Sequence, residues 1–286
     1  MINSEPNKDS GRKLFYGLFI FPLLIAVGMA VLLCTVVLLT REAETPESLI
    51  TSIKTGTPSK RWQKAFELSN ELNSSHSLIR EAGVMKEIIH ILRDREEYDA
   101  KTRSYMAIAL NRFDGADASQ ALQDALAAET EPEVQLYLIW ALGQRGLKES
   151  APVIRPYLNN PQEDLRKMAV YVLASLQDQD SVGPLTKLLE DPSRDVQWNS
   201  ALSLARLGSD AGYPVLMKML DRRMLAAMDG LPEVKIEEIM VNAVKGVALL
   251  NRKEAMPYLA ELADKDPSLK VRQAAIEALE LQKNLK

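Results

Sequence analysis

The chain has 286 residues, of which 47% are hydrophobic and 26% are charged, and its net charge at pH 7 is −4. This length suits one substantial domain with additional segments, and the hydrophobic content excludes a chain that is disordered throughout. No basic run of useful length occurs, so we predict no nucleic-acid partner. The single cysteine, Cys34, has no second cysteine with which to form an intramolecular disulfide.

The N-terminal part combines a polar tail, residues 1–13, with an apolar run, residues 14–40, that holds no charged side chain. A bilayer core of about 30 Å requires roughly 20 helical residues, so residues 14–40 are predicted to form one transmembrane helix. The alternative is a cleaved signal peptide, whose apolar region would be roughly 7–15 residues and would end at a small-residue cleavage site. The run is longer and lacks such a site. We therefore predict an uncleaved, single-pass membrane anchor.

The orientation of this anchor depends on the basic residues that flank it. Arg12 and Lys13 abut one end of the apolar run, and Arg41 abuts the other. The positive-inside rule then favours a cytoplasmic tail and an exported C-terminal domain on the periplasmic side. The difference is one residue, so the side of the membrane is left open.

Residues 41–58 are predicted to be a juxtamembrane segment that contains a short helix. Thr45, Pro46 and Glu47 combine a side-chain cap, a first-turn proline and an acid near the positive helix end. Gly56 is placed to end this helix. Few residues then remain before Ser59, so we expect the folded domain, residues 59–286, to lie close to the bilayer surface.

That domain contains a repeated sequence motif, Val-Gln/Arg-x-x-Ala-x-x-x-Leu, which begins a helix just after an Asp/Asn-Pro turn. The motif recurs every 31 residues, so that its first residue is Val134, Leu165 and Val196 in turn. The same spacing separates Leu158, Leu189 and Leu220 in the preceding helices, and Pro161 and Pro192 in the turns. A fixed period of this length predicts an all-α solenoid of stacked helix pairs, about six to seven in number.

The first residue of the motif is called position 0 below. Position 0 is taken as Thr102, Val134, Leu165, Val196, Ile239 and Val271 in successive repeats, and Arg61 fits the pattern only loosely in the first repeat. Positions 0, +4, +8 and +11 fall on one stripe of a helix with 3.6 residues per turn, and they are predicted to form the core. The period is interrupted by a methionine-rich insertion, residues 217–231. Insertions in solenoids often lie on the binding side, but a helix lengthened by two turns, with methionine side chains filling the core, is the simpler explanation of this one.

The stretch KESAPVIRPYLNNPQEDLRKMAVYVLASLQDQDSVGPLTKLLEDPSRDVQWNSALSLARLG, residues 148–208, resembles the HEAT-repeat family, in particular the short bacterial subtype related to the phycobilin-lyase repeats. The resemblance implies a hydrogen-bonded ladder between repeats, formed by a turn Asp and an Arg six residues later. Asp266 and Arg272 match it and Asn160 and Arg166 nearly do, whereas Asp191 is followed by Gln197 and should keep a neutral bond at best. The resemblance also implies that the second helix of each pair lines a concave face.

On these second helices, positions +2 and +6 point away from the core stripe, and we call the surface they form the +2/+6 face. The predicted partner-binding residues on it are Leu136, Trp140, Lys167, Tyr171, Trp198 and Leu202. An exposed helix face is ordinarily polar, whereas this one is rich in apolar and aromatic side chains. Either neighbouring helices cover these side chains, or a partner binds them, because Trp and Tyr are frequent interface anchors.

Residues for chemistry are sparse. The only histidines, His76 and His90, lack a second His or Cys at metal-ligand spacing, and they lack the adjacent Glu that the di-iron hydroxylase branch of the family uses. No phosphate-binding glycine loop or nucleophile elbow occurs. We therefore predict a non-enzymatic protein without a cofactor or metal.

The favoured function is a scaffold, anchored in a bacterial inner membrane, that binds a protein partner through the concave face or residues 217–231. Two alternatives stay open. One is a membrane-tethered relative of the chromophore lyases, and the other is a structural subunit of a homo-oligomer.

Overall fold

The structure, a computed structural model, describes residues 16–40, 45–74 and 82–284. The chain divides into two compact units, Met1–Thr45 and Pro46–Lys286. The predicted tail, residues 1–13, lies outside the described residues, and so does His76.

The first unit contains a π-helical turn, Tyr16–Ile20, that leads into helix α1, Phe21–Thr40. The segment Gly17–Val36 is long and apolar enough to cross a membrane, and none of it is buried. Apolar side chains on every side of a helix, with no protein covering them, are typical of a segment that does not face water. The prediction of one apolar N-terminal helix is confirmed.

The second unit is all-helical within the described residues. Its helices are α2 (Pro46–Thr55), α3 (Pro58–Ser74), α4 (Ala82–Arg93), α5 (Ala100–Leu110), α6 (Ala116–Ala128), α7 (Pro132–Arg145), α8 (Ala151–Ile154), α9 (Glu163–Ser175), α10 (Val182–Lys187), α11 (Arg194–Arg206), α12 (Tyr213–Met219), α13 (Arg222–Ala226), α14 (Glu233–Leu250), α15 (Met256–Lys265) and α16 (Leu269–Asn284). Short 3-10 turns extend α8 and α10.

These helices form seven pairs in the described part of the chain: α2 with α3, α4 with α5, α6 with α7, α8 with α9, α10 with α11, α12 with α14, and α15 with α16. The second helices also pack on one another in series, from α3 through α5, α7, α9, α11 and α14 to α16. Each pair thus contacts mainly its neighbours, which is the arrangement of a solenoid. The predicted fold class, with six to seven helix pairs, is confirmed.

The predicted stripe forms the core of the stack. Leu138, Leu142, Leu173 and Leu204 are fully buried, as are the residues at position 0 in α7 and α11. The second helices approach closely at a position that the sequence keeps small. A Cβ atom built on Gly143 of α7 would lie 2.7 Å from a methyl group of Val172 in α9, so the glycine allows the two helices to touch.

Helix α2 belongs to this core. The sequence places it in a juxtamembrane segment, yet its three apolar side chains, Leu49, Ile50 and Ile53, are buried with those of the repeats. It packs on α3 as the first helix of the first pair. The sequence pattern identifies the helix and its apolar face but not the surface that covers this face.

The turns between helices of a pair are joined to the preceding repeat by arginines. Both hydrogen bonds from the Arg166 guanidinium to the Asp191 carboxylate measure 2.8 Å, and Asp191 also accepts the amide of Ser193. Gln197 donates to the backbone carbonyl of Asp191 at 2.6 Å. The expectation for Asp191 was wrong: this residue forms a charged pair with an arginine of the preceding repeat, because the second helices stack side by side.

The methionine-rich insertion is a separate short helix, α13, followed by a turn and the 18-residue helix α14, instead of one lengthened helix. Leu225 and Met219 in this segment are fully buried. Arg222 donates two hydrogen bonds to the Asp266 carboxylate, at 3.0 and 2.7 Å. Since α14 carries Met240 at position +1, where α9 carries its arginine, Arg222 supplies the guanidinium that the last repeat requires.

Candidate partner-binding surface

The six predicted partner-binding residues lie on α7, α9 and α11, three second helices that pack in series. Tyr171 is the most accessible, with 48% of its surface exposed. Leu136, Trp140, Trp198 and Leu202 are partly buried, and so is Lys167. The +2/+6 face is therefore neither fully covered by its neighbours nor fully open to water.

The partly buried members rest on the core beneath them. Leu136 and Trp140 pack against the hydrophobic cluster of the first five repeats. Trp198 and Leu202 pack against the second cluster, which α12, α14 and α16 share. Leu202 also contacts α14, where a Cβ atom built on Gly246 would lie 3.1 Å from its methyl group. Because Leu202 already contacts a neighbouring helix, Tyr171, Trp140 and Trp198 are the better candidates for anchors.

Two cationic side chains border Tyr171. The Arg206 guanidinium lies 5.7 Å from the centre of the Tyr171 ring, within the range of a cation–π contact. One turn before Tyr171, the Lys167 ammonium bonds to Asp164 at 2.9 Å and to Glu163 at 3.3 Å. The hydrogen bond from Lys167 to Asp164, aided by Glu163, raises the pKa of Lys167. Lys167 is thus held as a cation within an acidic neighbourhood.

Further aromatic residues lie on the first two second helices, α3 and α5. Phe66 of α3, which is 44% exposed, meets Tyr105 of α5 edge to face with ring centres 5.3 Å apart. The Lys101 ammonium lies 3.5 Å from the centre of the Trp62 ring. The sequence pattern missed these residues because the first repeat matches the period only loosely. The i, i+4 spacing of Trp62 and Phe66, which places both on one side of α3, is the signal that could have found them.

Towards the C-terminus, an open groove of about 570 Å³ lies between α14 and α16. Its lining includes positions +2 and +6 of both helices, which are Val241, Lys245, Gln273 and Glu277. The floor is apolar and the rim carries both carboxylates and ammonium groups. By register, this groove is the continuation of the +2/+6 face into the last two repeats.

The insertion offers less free surface than its sequence indicates. Met217, Met224, Met228 and Leu231 all pack against the second hydrophobic cluster. Arg222 is engaged by Asp266 and Glu233. These methionines therefore fill the gap between α12 and α14, where their flexible side chains suit an irregular space.

No group of three or more His, Cys, Asp or Glu that could hold a metal ion occurs in residues 16–40, 45–74 and 82–284. The buried ionic side chains serve the fold instead. Arg103 and Glu129 are each 3% exposed and form an ion pair between the second and third repeats. Glu129 additionally accepts the amides of Thr130 and Glu131 in its own turn.

Geometry and burial together define an α-solenoid of stacked helix pairs with an aromatic, partly exposed second-helix surface. HEAT repeats match residues 85–165 and 151–226 of the chain. The two matches together span residues 85–226.

Several solved structures are similar to this chain. One chain of the CpcE–CpcF complex of phycocyanin lyase from Nostoc sp. PCC7120 matches with a TM-score of 0.53 and 18% identity, over 86% of this chain and 97% of that chain. A HEAT-like repeats protein of the archaeon Thermococcus onnurineus NA1 gives 0.46 and 15%, over 86% and 99%. Human deoxyhypusine hydroxylase gives 0.37 and 16%, over 84% and 96%. Among curated protein sequences, none matches the chain.

Proposed function

We propose that this protein is a non-catalytic scaffold, anchored in a membrane by residues 14–40, that binds a protein partner on the +2/+6 face. The observation that carries the proposal is the accessibility of aromatic side chains on consecutive second helices, with Tyr171 half exposed between two tryptophans. Aromatic anchors in the centre of an apolar patch dominate the binding energy of many protein interfaces. HEAT and armadillo-like folds are usually non-catalytic interaction scaffolds.

The partner would be identified by mild-detergent crosslinking of the full chain, followed by mass spectrometry of the proteins that copurify. The decisive variant then replaces Trp140, Tyr171 and Trp198 with alanine. If these residues are anchors, each truncation should cost about 2 kcal/mol or more of binding free energy, which is roughly a 30-fold loss of affinity. Capture of the partner should be abolished while the helical signal of the protein and its melting temperature change little.

Leu147→Ala is the matched control, because Leu147 is also an exposed apolar residue, at 38%, but lies in the loop after α7. It should leave capture unchanged. Normal capture by a well-folded triple variant would remove the +2/+6 face from the proposal. Residues 217–231 would then be the surface to test. A triple variant that melts far below the wild type would instead assign these side chains to the core, where large-to-small changes cost about 3–5 kcal/mol each.

The proposed organisation keeps residues 1–13 as a tail and places the solenoid on the side of the membrane away from the cytoplasm. Support comes from the length and apolar surface of Gly17–Val36 and from the two basic residues on the tail side of the run. Reporter fusions at Lys286 test the orientation, and N-terminal sequencing of the mature protein tests the anchor. A fusion that is active only in the cytoplasm contradicts the orientation, and a mature protein that begins beyond residue 34 contradicts the anchor.

A second function has one observation in its favour, the similarity of the solenoid to the phycocyanin lyase complex. A membrane-tethered relative of the chromophore lyases should bind a chromophore. Absorption spectra of the purified full chain, with and without added bilin, separate the two proposals. A bound chromophore favours the lyase relative.

A further inference from the structure

The last second helix, α16, presents a surface that the five second helices before it bury. At position +5, these five helices, α5, α7, α9, α11 and α14, carry residues with no exposed surface: Ala107, Ile139, Val170, Ala201 and Val244. The equivalent residue of α16 is Ile276, and 39% of it is exposed. Position +5 lies between positions +1 and +9 on the helix surface, and both of these meet the following repeat: Arg166 at +1 pairs with Asp191, and Gly143 at +9 approaches Val172. Ile276 therefore lies on a repeat-to-repeat surface that no helix of the described residues covers in the same way.

The same surface carries an arginine that lacks its usual partner. At position +1, Arg103 pairs with Glu129 and Arg166 pairs with Asp191, and both carboxylates come from the repeat that follows. In α16, position +1 is Arg272, which donates through one nitrogen to the backbone carbonyls of Asp266 and Pro267. Within residues 45–74 and 82–284, no carboxylate lies within ion-pair distance of Arg272. Whatever covers Ile276 should therefore bring a carboxylate to Arg272.

The residue at position +9 of α16 does not suit a further helix pair packed in the way that the earlier pairs are. In four of the earlier repeats this position is small, namely Gly143, Ala174, Ala205 and Ala248, because the next helix approaches there to within the contact seen between Gly143 and Val172. In α16 the residue is Glu280, which is exposed. A following helix at the usual distance would bury this carboxylate without a partner, at a cost in free energy.

Arg272, Ile276 and Glu280 are spaced four residues apart, so they form one line along α16 with the isoleucine in the middle. A two-fold axis that passes beside Ile276 places the same line of a second copy against the first, running in the opposite direction. Each Arg272 then faces Glu280 of the other copy, and the two isoleucines meet at the axis. Such an isologous contact satisfies the arginine, the glutamate and the apolar residue together.

We propose that α16 is a homodimer interface, in which two copies of this chain pack their last helices antiparallel through Ile276, with two reciprocal Arg272–Glu280 ion pairs. The charge pattern favours a second copy over an unrelated partner because one surface carries both halves of each pair. This interface uses the end of the solenoid. It leaves the +2/+6 face of the earlier repeats free, so failure of the dimer proposal would not contradict partner binding on that face, and the reverse also holds.

The test is site-specific crosslinking of the full chain in detergent micelles or bilayer nanodiscs, in a Cys34→Ser background. Ile276→Cys places one thiol at the axis in each copy, so mild oxidation should produce a disulfide-linked dimer on a non-reducing gel. Gln273→Cys is the matched control on the same helix. Its thiol is exposed but faces the +2/+6 side, so it should crosslink several-fold less.

Charge reversal distinguishes the proposed interface from any other association. Adding Arg272→Glu to the Ile276→Cys variant places the new carboxylate opposite Glu280 of the other copy. Like charges that face each other across an interface should reduce dimerisation about tenfold or more. Adding Glu280→Arg as well restores opposite charges and should restore the crosslink. Equal crosslinking of the Gln273→Cys and Ile276→Cys variants, as association through α1 alone would give, overturns the proposal. The proposal is also overturned if Arg272→Glu leaves the crosslinking of the Ile276→Cys variant unchanged, or if adding Glu280→Arg fails to restore it.

Discussion

The ion pair between Arg103 and Glu129 gives the sharpest prediction about stability. Both side chains are 3% exposed, and Arg103 also donates through Nε to the carbonyl of Tyr98 at 3.2 Å. Glu129→Gln keeps the size and one acceptor of the side chain but removes its charge. The guanidinium of Arg103 then stays buried without a counter-charge, and removal of one partner from a buried pair costs about 3–5 kcal/mol.

For a domain of this size, such a loss lowers the melting temperature by roughly 6–20 °C. The assay is thermal unfolding of the full chain in detergent, followed by circular dichroism of the helical signal. Asp124→Asn is the control, because the pair of Arg93 with Asp124 is about half exposed and an exposed pair contributes about 0–1 kcal/mol.

A companion variant tests the reason for the effect. Arg103→Met combined with Glu129→Gln removes both charges, and the glutamine keeps an acceptor for the amides of Thr130 and Glu131. No buried charge is then left without a partner, so this variant should melt closer to the wild type than Glu129→Gln alone. The reasoning is refuted if Glu129→Gln melts like Asp124→Asn, or if the double variant is as unstable as Glu129→Gln.

Three further predictions concern the packing and the turns of the solenoid. Leu173→Ala, which truncates a fully buried side chain, should cost about 2–5 kcal/mol of unfolding free energy in a urea titration, and an unchanged midpoint would contradict the assigned core stripe. Gly143→Ala should destabilise by about 1–3 kcal/mol through its clash with Val172, and Val172→Ala added to it should relieve part of the loss in the same titration. The hydrogen bond from Arg155 lowers the pKa of Asp178. The Asp178 carboxylate therefore stabilises the fold above its unfolded pKa of about 3.9, and this contribution is lost as the pH falls through the lowered pKa of the folded state. Asp178→Asn should be less stable than the wild type at neutral pH but should lose less stability between about pH 5 and pH 2, and parallel curves of stability against pH would contradict the role of this ion pair.

Much of the solenoid could be predicted from the sequence because burial along a helix is periodic and local. The 31-residue spacing and the apolar residues at positions 0, +4 and +8 require only that each helix turn one face inward. Leu138, Leu173 and Leu204 are buried for that reason. The apolar run before residue 40 is equally local, since its length and composition alone make it long enough to span a bilayer.

The candidate surface is less determined by sequence. Periodicity selects positions +2 and +6, but how far Trp140 or Tyr171 is exposed depends on how closely neighbouring repeats approach. The exposure of Ile276 in α16 has the same origin. Ile276 repeats a core position of the earlier helices, but within the described residues no next helix covers it as one covers theirs.

By itself, the sequence determined the repeat, the core stripe, the apolar N-terminal helix and the set of aromatic candidates. The tertiary structure decided which side chains meet between repeats: that α2 joins the core, that Asp191 pairs with Arg166, and that Arg222 reaches Asp266 across 44 residues. The physical reason is range. A helical stripe depends on neighbours three or four residues away, whereas an ion pair between stacked helices depends on their distance and rotation, which no local pattern encodes.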